Sequence, residues 1–179
     1  MNLFILRHAS AGVRRANPLL DVKRPLDKDG KRHCILLAQT LNAMNVSFDL
    51  IISSPLKRSV QTASLIGTET GYESRILLSN ALSPDATFRD FQRLLSECRL
   101  QESVLVVGHN PNISQFLGSL LVHPSETSTT PMIRMRKGSL AKVSLMRAPA
   151  TMQLLLDPRT VRALYTTSTK SSRRKISRK

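Results

Sequence analysis

The sequence predicts an α/β fold of three layers, α/β/α, around a mostly parallel central sheet. Short apolar runs recur along the chain without polar alternation, as in strands covered on both faces. Between them apolar residues return every three or four positions, the mark of helices with one buried side. Strands alternating with such helices imply right-handed crossovers, which place helices on both faces of the sheet. At 179 residues and 41% hydrophobic content, the chain has the size of about one domain with a real core.

Taken in order, Leu3 to Leu6 reads as the first strand. Cys34, Leu37, Ala38, Leu41 and Met44 mark a first helix, and Leu50 to Ser53 a second strand. Ser54 and Pro55 read as an N-cap with proline at the first helical position. Arg58 then falls in the opening turn of a helix running through Thr62 and Ile66, where the N-terminus favours anions. Ile76 to Leu78 is the third short run, and Phe88, Phe91, Leu94 and Leu95 form the next helical face. Val104 to Val107 is the fourth strand; Asn110 and Pro111 open a helix carrying Ile113, Phe116, Leu117, Leu120 and Leu121. His123 to Pro131 is a polar loop, and Leu140 to Leu145 and Met152 to Leu156 are two further strands. No internal repeat is present.

Charge separates the chain into two parts. The total is +15, and residues 159–179 hold eight basic residues and no acidic one, leaving +7 for residues 1–158. We therefore assign 1–158 to the folded domain and 159–179 to a basic tail. Rich in Ser and Thr and poor in apolar residues after Tyr165, the tail is expected to be disordered from about 166. It has the charge to bind nucleic acid or acidic partners nonspecifically, yet no aromatic residues interleave with its basic ones. Cys34 and Cys98 match no metal or redox spacing and read as reduced thiols of an intracellular protein. The apolar run before Arg7 is too short for a signal-peptide core, and no stretch approaches a membrane span. A cytoplasmic protein with no membrane contact is expected.

In open sheets of this kind, ligands bind beyond the carboxyl ends of the strands. Arg7-His8 ends the first strand, Ser53-Ser54-Pro55-Leu56-Lys57-Arg58 follows the second, and Gly108-His109-Asn110-Pro111 follows the fourth. Their convergence would place two arginines and two histidines in one cationic pocket. Such a pocket suits phosphate chemistry, since arginine forks match phosphoryl oxygens better than lysine does. No paired metal-ligand spacing links His8, His33, His109 and His123, and no Asp/Glu cluster suggests a two-metal site, so no metal or other cofactor is expected. His33 and His123 read as structural or exposed, and Lys57 as a solvated helix residue.

Leu6-Arg7-His8-Ala9, Ser53-Ser54-Pro55 through Arg58 to Gln61-Thr62-Ala63, and Val106-Val107-Gly108-His109-Asn110-Pro111 together resemble the histidine phosphatase superfamily. Within it, the chain is most similar to the compact SixA-like phosphohistidine phosphatase branch, whose Arg-Pro-Leu element resembles Arg24-Pro25-Leu26 through Gly30. The resemblance runs from residue 1 to about 158. It implies that His8 is the nucleophile, attacking phosphorus as a neutral imidazole and forming a phosphohistidine enzyme that water hydrolyses. Arg7, Arg58 and His109 match the residues that hold the phosphoryl oxygens, and Arg24 is a candidate substrate ligand at the rim. A pocket rich in cations should also keep His8 neutral. Ala9 stands where many members have glycine.

A general acid is the missing piece. Superfamily members acting on phosphate esters place a carboxyl group beside the leaving oxygen, because an alkoxide needs a proton to depart. Asp85, in Ser83-Pro84-Asp85-Ala86, is the one carboxylate in the right region, and its alternative role is a turn or cap before Phe88. Imidazole leaves with less help, so a site without an acid favours phosphohistidine. The leading expectation is thus a metal-independent hydrolase of phosphohistidine on a protein, such as a histidine-phosphotransfer domain of a two-component relay. Two alternatives stand beside it: a broad small-molecule phosphomonoesterase, and a phosphate- or nucleic-acid-binding module acting through the basic tail.

Overall fold

The computed structural model describes residues 1–123 and 129–165. Its six-stranded sheet runs in the order β3-β2-β4-β1-β5-β6. The strands are β1 (Asn2–Arg7), β2 (Leu50–Ser53), β3 (Leu77–Leu78), β4 (Ser103–Gly108), β5 (Leu140–Ser144) and β6 (Thr151–Leu156). The first four pair in parallel, whereas β5 and β6 are antiparallel to their neighbours. The helices are α1 (Pro18–Val22), α2 (Lys28–Ala43), α3 (Lys57–Glu69), α4 (Phe88–Glu97) and α5 (Asn112–Leu120), followed by α6 over 158–165.

Alternation along β1 sorts the core into two halves. Phe4 and Leu6 pack with Cys34, Leu37 and Leu41 of α2 and Ala63 and Ile66 of α3. Leu3 and Ile5, on the opposite face, pack with Phe91 and Leu94 of α4 and Ile113, Phe116 and Leu117 of α5. This is the expected three-layer arrangement, since a strand pointing apolar side chains both ways needs cover on both faces. Cys34 and Cys98 are buried free thiols. No helix among the described residues is long and apolar enough to cross a membrane.

Several local readings change. β3 is not covered on both faces: it is a two-residue edge strand whose Leu77 and Leu78 are exposed. Ser54 does not cap α3. The helix starts at Lys57 after an extended Leu56, because the Ser54 hydroxyl is drawn to His109, 2.9 Å away, and makes only a 3.4 Å contact with the Leu56 amide. α5 opens at Asn112, just after Pro111.

The boundary read at 158/159 falls at the start of a helix. Val161 of α6 is fully buried in the same core half as α2, a contact of about 1.5 to 3 kcal/mol. An Arg136–Asp157 ion pair ties the approach to β5 to the approach to α6. The expectation of disorder from about 166 lies outside the described residues.

Candidate active site

The strand order builds the site. β2, β4 and β1 are neighbours, with Arg7 opposite Gly108 and Ser53 opposite Val107, so the residues after each strand emerge side by side. Arg7 and His8 leave β1, Ser54 leaves β2 towards Arg58 in the first turn of α3, and His109 leaves β4. All of these but Ser54 line one cleft of about 1500 Å³. His8, Arg58 and His109 are nonetheless buried residues.

His8 is held in one tautomer. Its Nδ1 donates to the Ala9 carbonyl at 2.8 Å, which leaves Nε2 with the lone pair. The backbone on either side is fixed as well: the His8 amide donates to Gly108 O at 3.0 Å and the Ala9 amide to Thr62 Oγ1 at 3.1 Å. Burial pushes the His8 pKa down to about 3, with the charges of Arg58, Arg7 and Lys137 adding to it and the bond to Ala9 opposing it. The ring is neutral as the sequence reading expected, but desolvation outweighs the cations as the cause.

The His109 ring lies 4.9 Å from that of His8, centroid to centroid, and is tilted by 54°. Its Nε2 is 2.9 Å from Ser54 Oγ and 3.1 Å from Ser59 Oγ. Burial first, then His8, Arg58, Arg7 and Arg24, lower its pKa to about 2. Nε2 can accept from a serine hydroxyl, in the tautomer that makes Nδ1 the donor, and Nδ1 is buried with no hydrogen-bond partner among the described residues.

The guanidiniums repeat this pattern. Arg7 Nη1 donates to the Met135 carbonyl at 2.8 Å, and Arg58 Nη1 donates to Asp21 O at 3.0 Å and Asp21 Oδ2 at 3.3 Å. The Nε of each is buried without a partner among the described residues. Buried donors are normally paired, and a charged one left alone is costly. An oxyanion, with several acceptor lone pairs, can satisfy a set of donors of this kind.

Arg24 stands in the same cleft, its Nε 2.8 Å from Asp21 Oδ1 and its Nη1 donating to Gly12 O at 2.7 Å. Asp85 also lines the cleft, exposed, with no hydrogen-bond partner among the described residues. It does not cap α4: Thr87 does, reciprocally with Asp90. Lys57 is exposed, His123 is exposed, and His33 is buried with its Nε2 donating to Gly138 O at 2.8 Å. No group of His, Cys, Asp or Glu among the described residues is arranged to hold a metal ion.

Sequence reasoning missed Asp21, the carboxylate inside the cation cluster. The Arg24 and Arg15 hydrogen bonds to it lower its pKa to about 2, so it stays ionised. It sits on α1, whose Asn17 cap and Pro18 at the first position were a legible helix start; Asp21 and Arg24, three residues apart, were a legible pair. The serine hydroxyls behind His109 and the nearby Lys137 had no comparable signal, because only the fold brings them there.

The sequence model of the histidine phosphatase superfamily (branch 1) matches residues 3–82. An uncharacterized protein of Picosynechococcus sp. (strain ATCC 27264 / PCC 7002 / PR-6) is 30% identical over 119 residues, which cover 65% of this chain and 70% of that protein. The structure is similar to that of the protein histidine phosphatase SixA complexed with tungstate, with a TM-score of 0.77 and 26% identity over 90% of this chain and 99% of that one. It also shares its fold with the alpha-ribazole phosphatase from Shigella flexneri, at a TM-score of 0.68 and 19% identity over 88% and 97% of the two chains.

Proposed function

This chain belongs to the histidine phosphatase superfamily (branch 1), and from that premise we propose that it hydrolyses phosphohistidine on a protein through a phosphohistidine enzyme intermediate. One observation carries the reading: His8 keeps a free Nε2 lone pair inside a ring of buried donors, Arg7 Nε, Arg58 Nε and His109 Nδ1, that lack acceptors among the described residues. The donors bind the three phosphoryl oxygens, whose charge they match without rearrangement. His8 Nε2 attacks phosphorus in line, forming its P–N bond as the bond to the substrate imidazole breaks. Water then attacks phosphorus, releasing inorganic phosphate and restoring neutral His8.

The substrate class follows from the leaving group. A phosphorylated imidazole carrying a proton on its second ring nitrogen departs as a neutral ring, so no protein acid is required. Neither the arginines nor the histidine packed around His8 supplies one: the Arg7 and Arg58 guanidiniums are too weakly acidic to give up a proton, and the pKa of His109 is lowered so far that its ring carries no second proton. Similarity to a protein histidine phosphatase supports the same substrate class, and a histidine-phosphotransfer domain is the proposed partner.

Brief mixing with labelled phosphohistidine, followed by alkaline quench, tests the nucleophile. Wild type is expected to retain acid-labile label on His8. His8→Ala is expected to retain none and to lose on the order of 10⁴-fold or more in kcat/KM, as when a covalent nucleophile is removed. Label on the His8→Ala chain overturns the assignment.

The position of Asp85 in the cleft favours a second reading, hydrolysis of small phosphate esters with Asp85 as the acid. Asp85→Asn separates the two: a loss of about 10²-fold or more in ester hydrolysis marks a general acid, whereas unchanged phosphohistidine turnover supports the acid-free route.

A further inference from the structure

We propose that residues 12–24, the wall of the cleft that contains α1, form a docking surface for the phosphoprotein itself, fitted to an acidic protein face that also exposes apolar side chains. This deepens the reading above and rests on it. The segment is built inside out. A five-residue helix ordinarily holds its place by burying apolar side chains, but α1 buries none. Val13, Leu19, Leu20 and Val22 are 88%, 76%, 55% and 46% exposed. Polar contacts hold the segment instead: Asn17 caps Leu19, and Asp21 reaches inward to the Arg15 amide, Arg24 and Arg58. The one acidic residue faces the pocket and four large apolar residues face solvent.

Val13 and Val22 line the cleft, where a small phosphate compound could meet them, but Leu19 and Leu20 lie outside its lining and would gain nothing from such a compound. A protein seated over the cleft would cover them. Grouped apolar exposure beside a site marks an interaction surface. The charge selects the partner: Arg14, Arg15 and Lys23 are exposed around the apolar residues, and Asp21 is already taken by Arg24 and Arg58. The chain's own residues 166–179 carry six basic residues and no acidic one, and a second copy brings a net charge of +15; like charge opposes both as occupants. An acidic surface is steered to the same place.

The test uses two peptides carrying the same phosphohistidine, one flanked by Leu and Glu and one by Gly and Ser, with N-phosphoimidazole as the minimal substrate. For the full-length wild type, kcat/KM is expected to be at least fivefold higher for the Leu/Glu peptide. The Leu19→Ser, Leu20→Ser double variant is expected to abolish that preference through KM, while leaving turnover of N-phosphoimidazole unchanged. Equal use of the two peptides, or an equal loss on all three substrates, overturns the docking surface but not the proposed reaction. A dimer that dissociates in the double variant overturns it in favour of a second copy as occupant. Failure to hydrolyse any of the three overturns the reaction and the docking surface together.

Discussion

Asp21 and the guanidiniums around it compete for the contacts that a phosphoryl group would use, because Arg58 Nη1 and Arg24 Nε both spend hydrogen bonds on this carboxylate. The arrangement aligns the arginines and partly neutralises them. Replacing Asp21 with Asn keeps an oxygen acceptor on α1 but removes the negative charge. A unit charge a few ångströms away in a partly exposed site is worth about 1 to 4 kcal/mol. Asp21→Asn is therefore expected to tighten tungstate binding about tenfold, measured by calorimetric titration at fixed ionic strength. Asp21→Ala also removes the side-chain acceptor, and kcat is expected to fall because Arg24 loses its carboxylate partner and Arg58 keeps only its bond to the Asp21 backbone carbonyl. Unchanged tungstate affinity in Asp21→Asn would show that the carboxylate does not set the charge an oxyanion meets.

The start of α2 is where an element, rather than a single side chain, shapes the site. Asp27 caps the helix by accepting from the Gly30 amide at 2.7 Å and also accepts from Ser10 Oγ at 2.7 Å. The loop after His8 is thereby tied to the helix end. Gly30 is needed for this close approach, since a Cβ there would lie 2.0 Å from the Ser10 backbone carbonyl. Gly30→Ala must push the loop away; overpacking of this kind costs about 1 to 3 kcal/mol. The expected result is a lower midpoint in urea together with a loss of kcat, because Ala9 and His8 belong to the displaced loop. A normal kcat would uncouple the helix start from His8. Elements of this sort divide what the sequence made legible from what it did not. Arg7, His8, Arg58 and His109 could be placed because each follows a strand or opens a helix with a strong local pattern. The strand order that makes them neighbours, the inward turn of Asp21 and the diversion of the Ser54 hydroxyl to His109 depend on contacts between segments far apart in the chain. The same limit explains α6: Val161 and the partly buried Tyr165 join it to the core, two residues that make too little of a pattern among basic neighbours.

Three buried histidines give the whole molecule a pH dependence whose sign can be worked out. Burial lowers the pKa of His8 to about 3, that of His109 to about 2, and that of His33 below its ordinary value. As pH falls below about 6.5, these groups take up protons in the unfolded chain before they do in the folded one. Stability is therefore fully present above that pH and is lost on acidification towards the folded-state values, each group adding up to about 1.4 kcal/mol per pH unit. The carboxylates act lower. Asp21, held at about 2, with Asp90 and Asp157 also lowered, contributes stability that is lost only below the ordinary carboxylate range. The raised thiols of Cys34 and Cys98 act only at alkaline pH. Between pH 6.5 and about 4.5 the histidines should thus dominate, and thermal melts in a buffer without oxyanions are expected to show a Tm falling steadily across that interval. Adding tungstate should raise Tm at every pH by binding the folded state, and more so at the acidic end, because a bound anion between the arginines and His8 and His109 favours their protonated forms. A flat Tm from pH 6.5 to 4.5, or a tungstate effect that weakens as pH falls, would mean that the two pocket histidines are not held neutral by burial in the folded state.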